Sequence, residues 1–404
     1  MNPPEDVFYK KTVELYFAGK ILSFRVSQDL FSSFDIDAGT KLLLRTLSNL
    51  PDKKINNVLD LGCGYGTIGV ALKAEDDRRK IQMVDRDALA IEYSKQNALL
   101  NGFSDLQIYG SLGFDDIKDK DFDLIISNIP AKAGEKAISY FLKNAVFLLK
   151  PSGIVTVVVV APLESTVRPI LENDPNITIL FEKMTPNCCV FHYSFKKQSV
   201  ELNRNKTGIE LGAYERKETD FSYKGIKYRL KTAHTISEFD TLDYQTELVF
   251  GYLYSIRQKH LSNLLFVNSG QGHIPVLSVK LFNPKSVVVA DRDLLTLRYT
   301  ALNLAHNGFS SSNTKLCHCV GILENMKESG MVVATLREDE GRKAILALAE
   351  QTINNLEKNG VALFAASSTP ITRLEENLKG NKTVIIKDRK RYKGQSLLVL
   401  EKIV

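Results

Sequence analysis

The sequence predicts an α/β fold in which one doubly wound domain is present twice along the chain. Two observations support this prediction. Short apolar runs alternate with longer helical patterns in both halves, which is typical of parallel sheets covered by helices. The two halves also align with each other, and the matched residues lie 206 positions apart: Gly66 and Gly272, Asp85 and Asp291, Asn97 and Asn303.

The internal repeat defines the predicted domains. Residues 84–103 (VDRDALAIEYSKQNALLNGF) match residues 290–309 (ADRDLLTLRYTALNLAHNGF). A shared DRD and a shared NGF at the same spacing indicate a duplication rather than a chance match. We therefore expect a first domain over 1–197, a polar linker over 198–209 and a second domain over 210–404.

The first copy shows the pattern of elements most clearly. Its apolar runs predict five buried parallel strands, and the segments between them predict helices. The predicted strands are 57–62, 80–85, 106–110, 122–128 and 154–161, and the predicted helices are 66–75, 87–101 and 134–149. Two further runs, 177–183 and 188–195, flank a turn at residues 185–187. Each copy is therefore expected to end in an antiparallel β-hairpin at the edge of its sheet.

The composition is typical of a soluble globular protein. Of the 404 residues, 44% are hydrophobic and 25% are charged. No apolar stretch is long enough to cross a bilayer and the N-terminus has no apolar signal core, so we expect a cytoplasmic protein that binds no membrane. The formal net charge of +6 permits a nucleic-acid partner without requiring one. The five cysteines match no zinc-ligand spacing, so we expect reduced thiols and no metal site.

A loop with three glycines joins the first of these strands to the first helix. Residues 60–66 are Asp-Leu-Gly-Cys-Gly-Tyr-Gly. Such a loop lets a ligand lie close to the backbone, and Asp85, at the end of the next strand, can bind both hydroxyls of a ribose. The sequence therefore predicts a site for a cofactor that carries adenosine. The candidate residues are Asp60, Gly62, Cys63, Gly64, Gly66, Asp85, Arg86, Ser111 and Asn128.

The identity of this cofactor depends on the acidic residue of the loop. Gly64, Gly66 and Gly69 also fit the dinucleotide fingerprint GxGxxG, and glycines at these positions can serve packing alone. With Asp60, however, the loop resembles the DxGxGxG motif of class I S-adenosylmethionine (SAM) methyltransferases. That resemblance implies a Rossmann-like class I methyltransferase fold and SAM as the cofactor. It also implies that Asp60 orients the amino group of SAM.

A short polar segment follows the fourth of these strands, where open α/β sheets bind their ligands. It reads Asn128-Ile129-Pro130-Ala131. The side-chain oxygen of Asn128 and the backbone carbonyl of Ile129 can accept both N–H bonds of an exocyclic amine and turn its lone pair toward a methyl donor. Pro130 fixes the backbone beside them. The segment resembles the (N/D/S)PP(Y/F) motif of amino-group methyltransferases, with Ile129 in place of the first proline and Ala131 in place of the aromatic residue.

Two wider patterns identify a narrower family. The form NxPxxAG at 128–134 and the segment FSSFDIDAGTKLLL at 31–44 resemble the ribosomal small-subunit RNA methyltransferase C family. That resemblance implies methylation of guanine N2 in small-subunit (16S) rRNA, with the rRNA or the small ribosomal subunit as partner. In the long members of that family the second half carries the chemistry, whereas here the first half does.

The second copy lacks most of these residues. It has Asn268-Ser269-Gly270-Gln271-Gly272 in the loop, Phe266 in place of Asp60, and Thr335-Leu336-Arg337-Glu338 at the catalytic position. We therefore predict that it neither methylates nor binds SAM, and that it contributes to RNA binding. Because the duplication can bury the surface that a single-copy relative would use to dimerise, we expect a monomer.

The last hairpin of the second copy contains a cluster of basic residues. Residues 387–394 (KDRKRYKG) are predicted to form one exposed turn that contacts phosphates. The candidate RNA-binding residues are Lys132, Arg389, Lys390, Arg391, Tyr392 and Lys393. The alternative is a solvated turn that keeps an edge strand from pairing.

Two other functions remain open at this point. The same Asn-x-Pro chemistry serves methyltransferases that act on a protein amide or on a small amine. A ribosome-assembly factor that binds SAM without catalysis is also compatible with the departures at Ile129 and Ala131.

Overall fold

The computed structural model describes residues 6–30, 34–50, 55–197, 206–324, 326 and 328–404. Most of the expected linker, 198–205, and the first three residues of the 31–44 segment lie outside the described residues. The chain forms two compact units. One is Tyr9–Glu215, and the other is Arg216–Val404 with a few N-terminal residues.

The first unit contains a seven-stranded sheet and a separate two-stranded hairpin. Its strands are β1 (Tyr9–Phe17), β2 (Lys20–Ser27), β3 (Asn57–Leu61), β4 (Lys80–Asp85), β5 (Gln107–Gly110), β6 (Phe122–Asn128), β7 (Leu149–Val160), β8 (Ile177–Met184) and β9 (Cys188–Phe195). Its helices are α1 (Ala38–Thr46), α2 (Thr67–Glu75), α3 (Ala88–Leu100), α4 (Glu135–Asn144) and α5 (Glu164–Glu172).

The order of the strands places the ends of β3, β4 and β6 side by side. The sheet runs β5-β4-β3-β6-β7-β9-β8, with parallel pairing from β5 to β7 and antiparallel pairing of β9 with both β7 and β8. Helices cover both faces, so the central strands are buried and apolar. This topology confirms the predicted doubly wound sheet and its terminal hairpin.

The second unit repeats the first. Its strands are β10 (Glu215–Tyr223), β11 (Ile226–Ala233), β12 (Asn263–Val267), β13 (Ser286–Asp291), β14 (Thr314–His318), β15 (Ser329–Thr335), β16 (Leu356–Ser367), β17 (Val384–Tyr392) and β18 (Gln395–Lys402). Its helices are α6 (Tyr244–Ser255), α7 (His273–Phe282), α8 (Leu294–His306), α9 (Arg342–Asn354) and α10 (Ser368–Leu378). The sheet order β14-β13-β12-β15-β16-β18-β17 matches that of the first unit, which confirms the tandem duplication.

Two features of the chain differ from the sequence prediction. The helix expected over 134–149 is too long, because α4 ends at Asn144, Ala145–Phe147 form a single 3₁₀ turn and Leu149 already pairs with Phe122 in the sheet. The hairpins β1–β2 and β10–β11 were not predicted, although each consists of two alternating strands joined at a glycine with positive φ, Gly19 and Gly225. Within the described part of the chain, no helix is both long enough and apolar enough to span a bilayer.

Candidate active site

The glycine loop lies between β3 and α2 and needs its glycines for two different reasons. Gly62 and Gly64 have φ values of 77° and 57°, and a side chain at either position would meet no described atom within 4 Å. Gly66 has a φ of 94°, and a Cβ there would lie 2.9 Å from the Met83 side chain. The first two glycines therefore leave an open backbone surface for a ligand, while the third allows close packing.

Asp85 ends β4 directly beside this loop. Its Oδ2 accepts a hydrogen bond from the Gly64 N–H at 2.9 Å, and its Oδ1 accepts one from the Asp87 N–H at 2.9 Å. The two backbone donors fix the plane of the carboxylate. Burial raises the pKa of Asp85, and the half-buried Arg86 follows it in the chain. The remaining lone pairs suit a pair of ribose hydroxyls.

Asp60 lies at the end of β3 and is fully buried. Its Oδ2 accepts a hydrogen bond from the Gly69 N–H at 2.8 Å, whereas its Oδ1 has no hydrogen-bond partner among the described residues. Burial, aided by the nearby Asp85 charge, raises the pKa of Asp60 to about 7. A buried carboxylate oxygen without a donor, beside an open glycine loop, fits a ligand that carries an ammonium group.

Two of the candidate cofactor residues serve the loops themselves. The Cys63 thiol is buried 3.5 Å from the Ser94 hydroxyl, and burial raises its pKa, so it is not an activated nucleophile. The Ser111 hydroxyl is also buried. It donates to the Gly113 carbonyl at 2.7 Å and accepts from the Asp116 N–H at 3.2 Å. Ser111 therefore shapes its own loop, and its role in cofactor binding stays a prediction.

Asn128, at the end of β6, is held from one side only. Its Nδ2 donates to Asp37 Oδ2 at 2.9 Å and to Thr40 Oγ1 at 3.1 Å. No described residue donates a hydrogen bond to its Oδ1. The next residue, Ile129, is buried and donates its N–H to the Val158 carbonyl at 3.0 Å, which fixes the backbone here. Pro130 is exposed and begins the loop toward α4.

A pair of asparagines that the site prediction omitted holds the loops in both halves. The Asn97 side chain accepts from the Arg25 N–H at 2.7 Å and donates to the carbonyls of Arg25 and Tyr65 at 2.9 and 2.8 Å. It thereby ties the hairpin β1–β2 to the glycine loop. Asn303 makes the same three contacts with the backbone of Lys231 and Gln271. The internal repeat marks both residues, but only the structure shows that their role is architectural.

In the second half, an arginine pairs with the carboxylate that corresponds to Asp85. The loop backbone is conserved in shape, since Asn268, Gly270 and Gly272 have φ values of 57°, 58° and 93°. Arg337 donates to Asp291 Oδ1 at 2.7 Å and to Asn268 Oδ1 at 3.1 Å. The carboxylate equivalent to Asp85 is therefore already neutralised from within the same half.

The predicted basic turn of the second half is wrong in its secondary structure. Residues 387–392 belong to the edge strand β17, and only Lys393 and Gly394 form the turn. Alternation along the strand separates the side chains onto two faces. Arg389 faces α10, where it pairs with Glu375 and lies 2.7 Å from the Thr372 hydroxyl.

The opposite face of β17 carries aromatic and basic side chains together. Lys390 lies 5.5 Å from the ring of Tyr252 on α6, and the rings of Tyr392 and Tyr244 are 5.4 Å apart. Lys393 donates to the Tyr244 hydroxyl at 3.1 Å. Exposed Arg391 shares the face of Arg389 and forms no ion pair with a described residue, and the same holds for exposed Lys132 in the first half. The candidate RNA-binding residues of the last hairpin are thus divided between two faces of β17 and its turn.

The first half matches a known family model. Residues 22–178 match the methyltransferase small domain. The uncharacterized protein YbxB of Bacillus subtilis is 32% identical over 151 residues, which are 37% of this chain and 74% of that protein. Ribosomal RNA small subunit methyltransferase C of Haemophilus influenzae (strain Rd) is 38% identical over 128 residues, 31% of this chain and 37% of that protein.

Other relatives of the same name match a shorter region. The Actinobacillus pleuropneumoniae serotype 5b protein is 42% identical over 105 residues, 26% of this chain and 31% of that protein. The chain thus spans only about a third of the length of these methyltransferases.

The fold as a whole has a solved counterpart. The 16S rRNA N2 guanine methyltransferase RsmC of T. thermophilus, in complex with AdoMet and guanosine, superimposes with a TM-score of 0.68 over 97% of this chain and 98% of that chain, at 14% identity. This match shows the two-domain fold, while YbxB and the family model show the family. The chain therefore belongs to the methyltransferase small domain family and is a class I SAM-dependent methyltransferase of the group that includes the ribosomal RNA small subunit methyltransferase C proteins.

Proposed function

We propose that the first half of the chain transfers a methyl group from SAM to the exocyclic N2 of a guanine in small-subunit rRNA. The observation that carries this proposal is the geometry of Asn128. Its amide nitrogen is fully engaged by Asp37 and Thr40, which leaves its oxygen as the group that can meet a substrate. An amide oxygen accepts hydrogen bonds but does not act as a base toward a hydroxyl group. Its position therefore suits an amino group as the methyl acceptor.

The cofactor would lie along the glycine loop. The backbone of Gly62, Cys63, Gly64 and Gly66 would face its methionine portion, and Asp85 would accept from the ribose hydroxyls. The free Oδ1 of Asp60 would accept from the ammonium group. When bound, SAM supplies an electrophilic methyl group on a sulfonium centre.

The residues of 128–130 would position the target amine. Asn128 Oδ1 and the Ile129 carbonyl each accept one N–H bond, and this holds the nitrogen lone pair toward the methyl donor. Pro130 restricts the backbone directly after them. After the transfer the positively charged amine gives one proton to solvent water, and the two acceptors stabilise the positive charge until that proton leaves. Positioning and electrostatics carry this mechanism, so no strong base is needed.

The relatives support RNA as the substrate. The relatives named ribosomal RNA small subunit methyltransferase C act on ribosomal RNA by their name, and the T. thermophilus neighbour is in complex with guanosine. The formal charge of +6 and the basic aromatic face of β17 are compatible with such a partner. We further propose that the protein acts as a cytoplasmic monomer, and that the second half contributes RNA contacts rather than chemistry.

A single experiment tests the proposal. The purified protein is incubated with radiolabelled SAM and with naked rRNA, small subunits or a protein extract in parallel. Label that is recovered as N2-methylguanosine after nuclease digestion is the expected result. Label in protein would mean that the substrate is a protein and not RNA, while the proposed role of Asn128 would stand. SAM binding without label in any fraction would contradict the proposed activity and favour a ribosome-assembly factor.

A further inference from the structure

The side-chain amide of Asn128 has one defined orientation, and it is determined by the N-cap of α1, Asp37, and by Thr40 in the first turn of that helix. Both hydrogens of Nδ2 are used, one by Asp37 Oδ2 at 2.9 Å and one by Thr40 Oγ1 at 3.1 Å. Thr40 is buried, while Asp37 and Asn128 are half-buried. A carboxylate oxygen only accepts hydrogen bonds, so Asp37 can face the nitrogen of Asn128 and not its oxygen.

We propose that Asp37 is a positioning residue for the methyl-transfer reaction, because it selects the orientation in which Asn128 presents oxygen to the target amine. The inference rests on the proposed function. The two ends of an amide have nearly the same shape, so packing alone does not distinguish them. If Asn128 turned over, its oxygen would face the Asp37 carboxylate and its NH₂ would face the amine, and both contacts would be repulsive.

The local sequence around Asp37 builds this contact. Asp37 is the N-cap of α1, and the same Oδ2 that receives Asn128 also accepts from the Thr40 N–H at 2.9 Å. A Cβ at Gly39 would lie 2.8 Å from that oxygen and 3.3 Å from Val158, the residue paired with Asn128 in the sheet. The Asp-x-Gly-Thr sequence is therefore one geometric unit that delivers a carboxylate oxygen to the end of β6.

The second half shows what Asp37 would do if it were only a helix cap. Asp243 caps α6 by accepting from the Thr246 N–H at 2.8 Å. The position equivalent to Asn128 is Thr335, and the residue that replaces Gly39 is Gln245. The cap is thus retained where the catalytic asparagine is lost, so the capping and orienting roles are separable.

Two substitutions separate these roles in the first half. Serine and asparagine are both good N-caps, so Asp37→Ser and Asp37→Asn should each keep α1 intact. Only asparagine retains an acceptor at the distance of Oδ2. We expect Asp37→Ser to lower kcat at least 10-fold with SAM affinity and Tm near the wild-type values, and Asp37→Asn to restore most of the turnover.

A spectroscopic measurement reports on the contact without relying on turnover. The side-chain amide protons of Asn128 should exchange slowly with solvent in the wild-type protein and in Asp37→Asn, and faster in Asp37→Ser, as followed by ¹⁵N NMR. Equal kcat for all three proteins, or equal exchange, would overturn the inference. If Asn128→Ala itself kept full activity, the proposed function would be at fault; loss of activity in Asn128→Ala with no effect of Asp37→Ser would overturn only the role of Asp37.

Discussion

Arg337 Nη2 lies 2.7 Å from Asp291 Oδ1 at the end of β13. At the equivalent position of the first half, Asp85 accepts hydrogen bonds only from backbone N–H groups among the described residues. Asp291 is buried, and Arg337 also contacts Asn268 of the degenerate loop. The loop backbone of the second half has kept its shape, but its carboxylate is paired with an internal cation. The predicted absence of SAM binding in the second half can therefore be explained by a side chain, without any change of fold.

This difference predicts one SAM per chain. Asp85→Asn should weaken SAM binding about 10- to 100-fold, because a charged acceptor for the ribose is lost. The matched substitution Asp291→Asn should leave SAM affinity unchanged. Isothermal titration of both variants and the wild-type protein measures the stoichiometry and the affinity. A stoichiometry of two, or weaker SAM binding in Asp291→Asn, would show that the second half binds the cofactor.

The second prediction concerns Asn128. Asn128→Ala removes the oxygen that is proposed to hold the target amine, and loss of one such preorganised group lowers kcat by about 10²- to 10³-fold. SAM affinity should stay within a few-fold, since among the described residues the Asn128 side chain forms hydrogen bonds only with Asp37 and Thr40, neither of which belongs to the glycine loop. Single-turnover rates and equilibrium binding are measured on the same preparation. Loss of SAM binding in this variant would make Asn128 a cofactor residue instead.

The sequence contained most of the information on the fold and on the cofactor loop. The repeat follows from aligning the two halves, and the strands, the helices and the positions of Asp60 and Asp85 follow from periodicity and from the glycine pattern. The order of the strands in the sheet comes from the structure. The pairing of Asp37 with Asn128 joins residues 91 positions apart, and the pairing of Arg337 with Asp291 joins residues 46 apart. Neither pairing has a local signature, so the sequence shows these residues but not their contacts.

The basic residues of 387–391 show a different limit of prediction from sequence, because their charge does not determine their secondary structure. Four cations within 387–391 suggested a turn, because charged residues are common there, but β17 continues through them. An edge strand tolerates charge, and the alternation of the strand then separates the cations onto two faces. Arg389 has an ion-pair partner on α10, which no pattern within the segment indicates.

The third prediction follows from that separation. The double substitution Lys390→Ala and Lys393→Ala should weaken the binding of rRNA fragments. It should also reduce the slope of the logarithm of the binding constant against the logarithm of the salt concentration by about one to two, because each phosphate contact contributes a little under one to that slope. Lys183→Ala, at the equivalent hairpin of the first half, is the matched control and should change neither quantity. An unchanged slope in the double variant would exclude this face as an RNA contact.

The last prediction concerns the dependence of stability on pH. His192 is buried with its Nε2 3.0 Å from the Thr46 hydroxyl and its ring 5.0 Å from that of Phe181. Burial lowers the pKa of His192 to about 4, below the value of about 6.5 for an unfolded chain. Between these values the unfolded chain binds a proton that the folded chain does not bind. The contribution of neutral His192 to the free energy of unfolding is therefore fully present above pH 6.5 and is lost as the pH falls toward 4.

The expected size of this effect is about 2 kcal/mol of unfolding free energy between pH 7 and pH 5. His192→Gln keeps a polar side chain that does not titrate. Between pH 7 and pH 5 the free energy of unfolding of this variant should therefore fall by about 2 kcal/mol less than that of the wild-type protein. Urea denaturation is carried out at both pH values and monitored by hydrogen exchange of peptides from Tyr9–Glu215. This measures the free energy of unfolding of the half that contains His192. If the free energy of unfolding changed with pH to the same extent in both proteins, the prediction would be wrong. His192 would then titrate in the folded protein as it does in the unfolded chain.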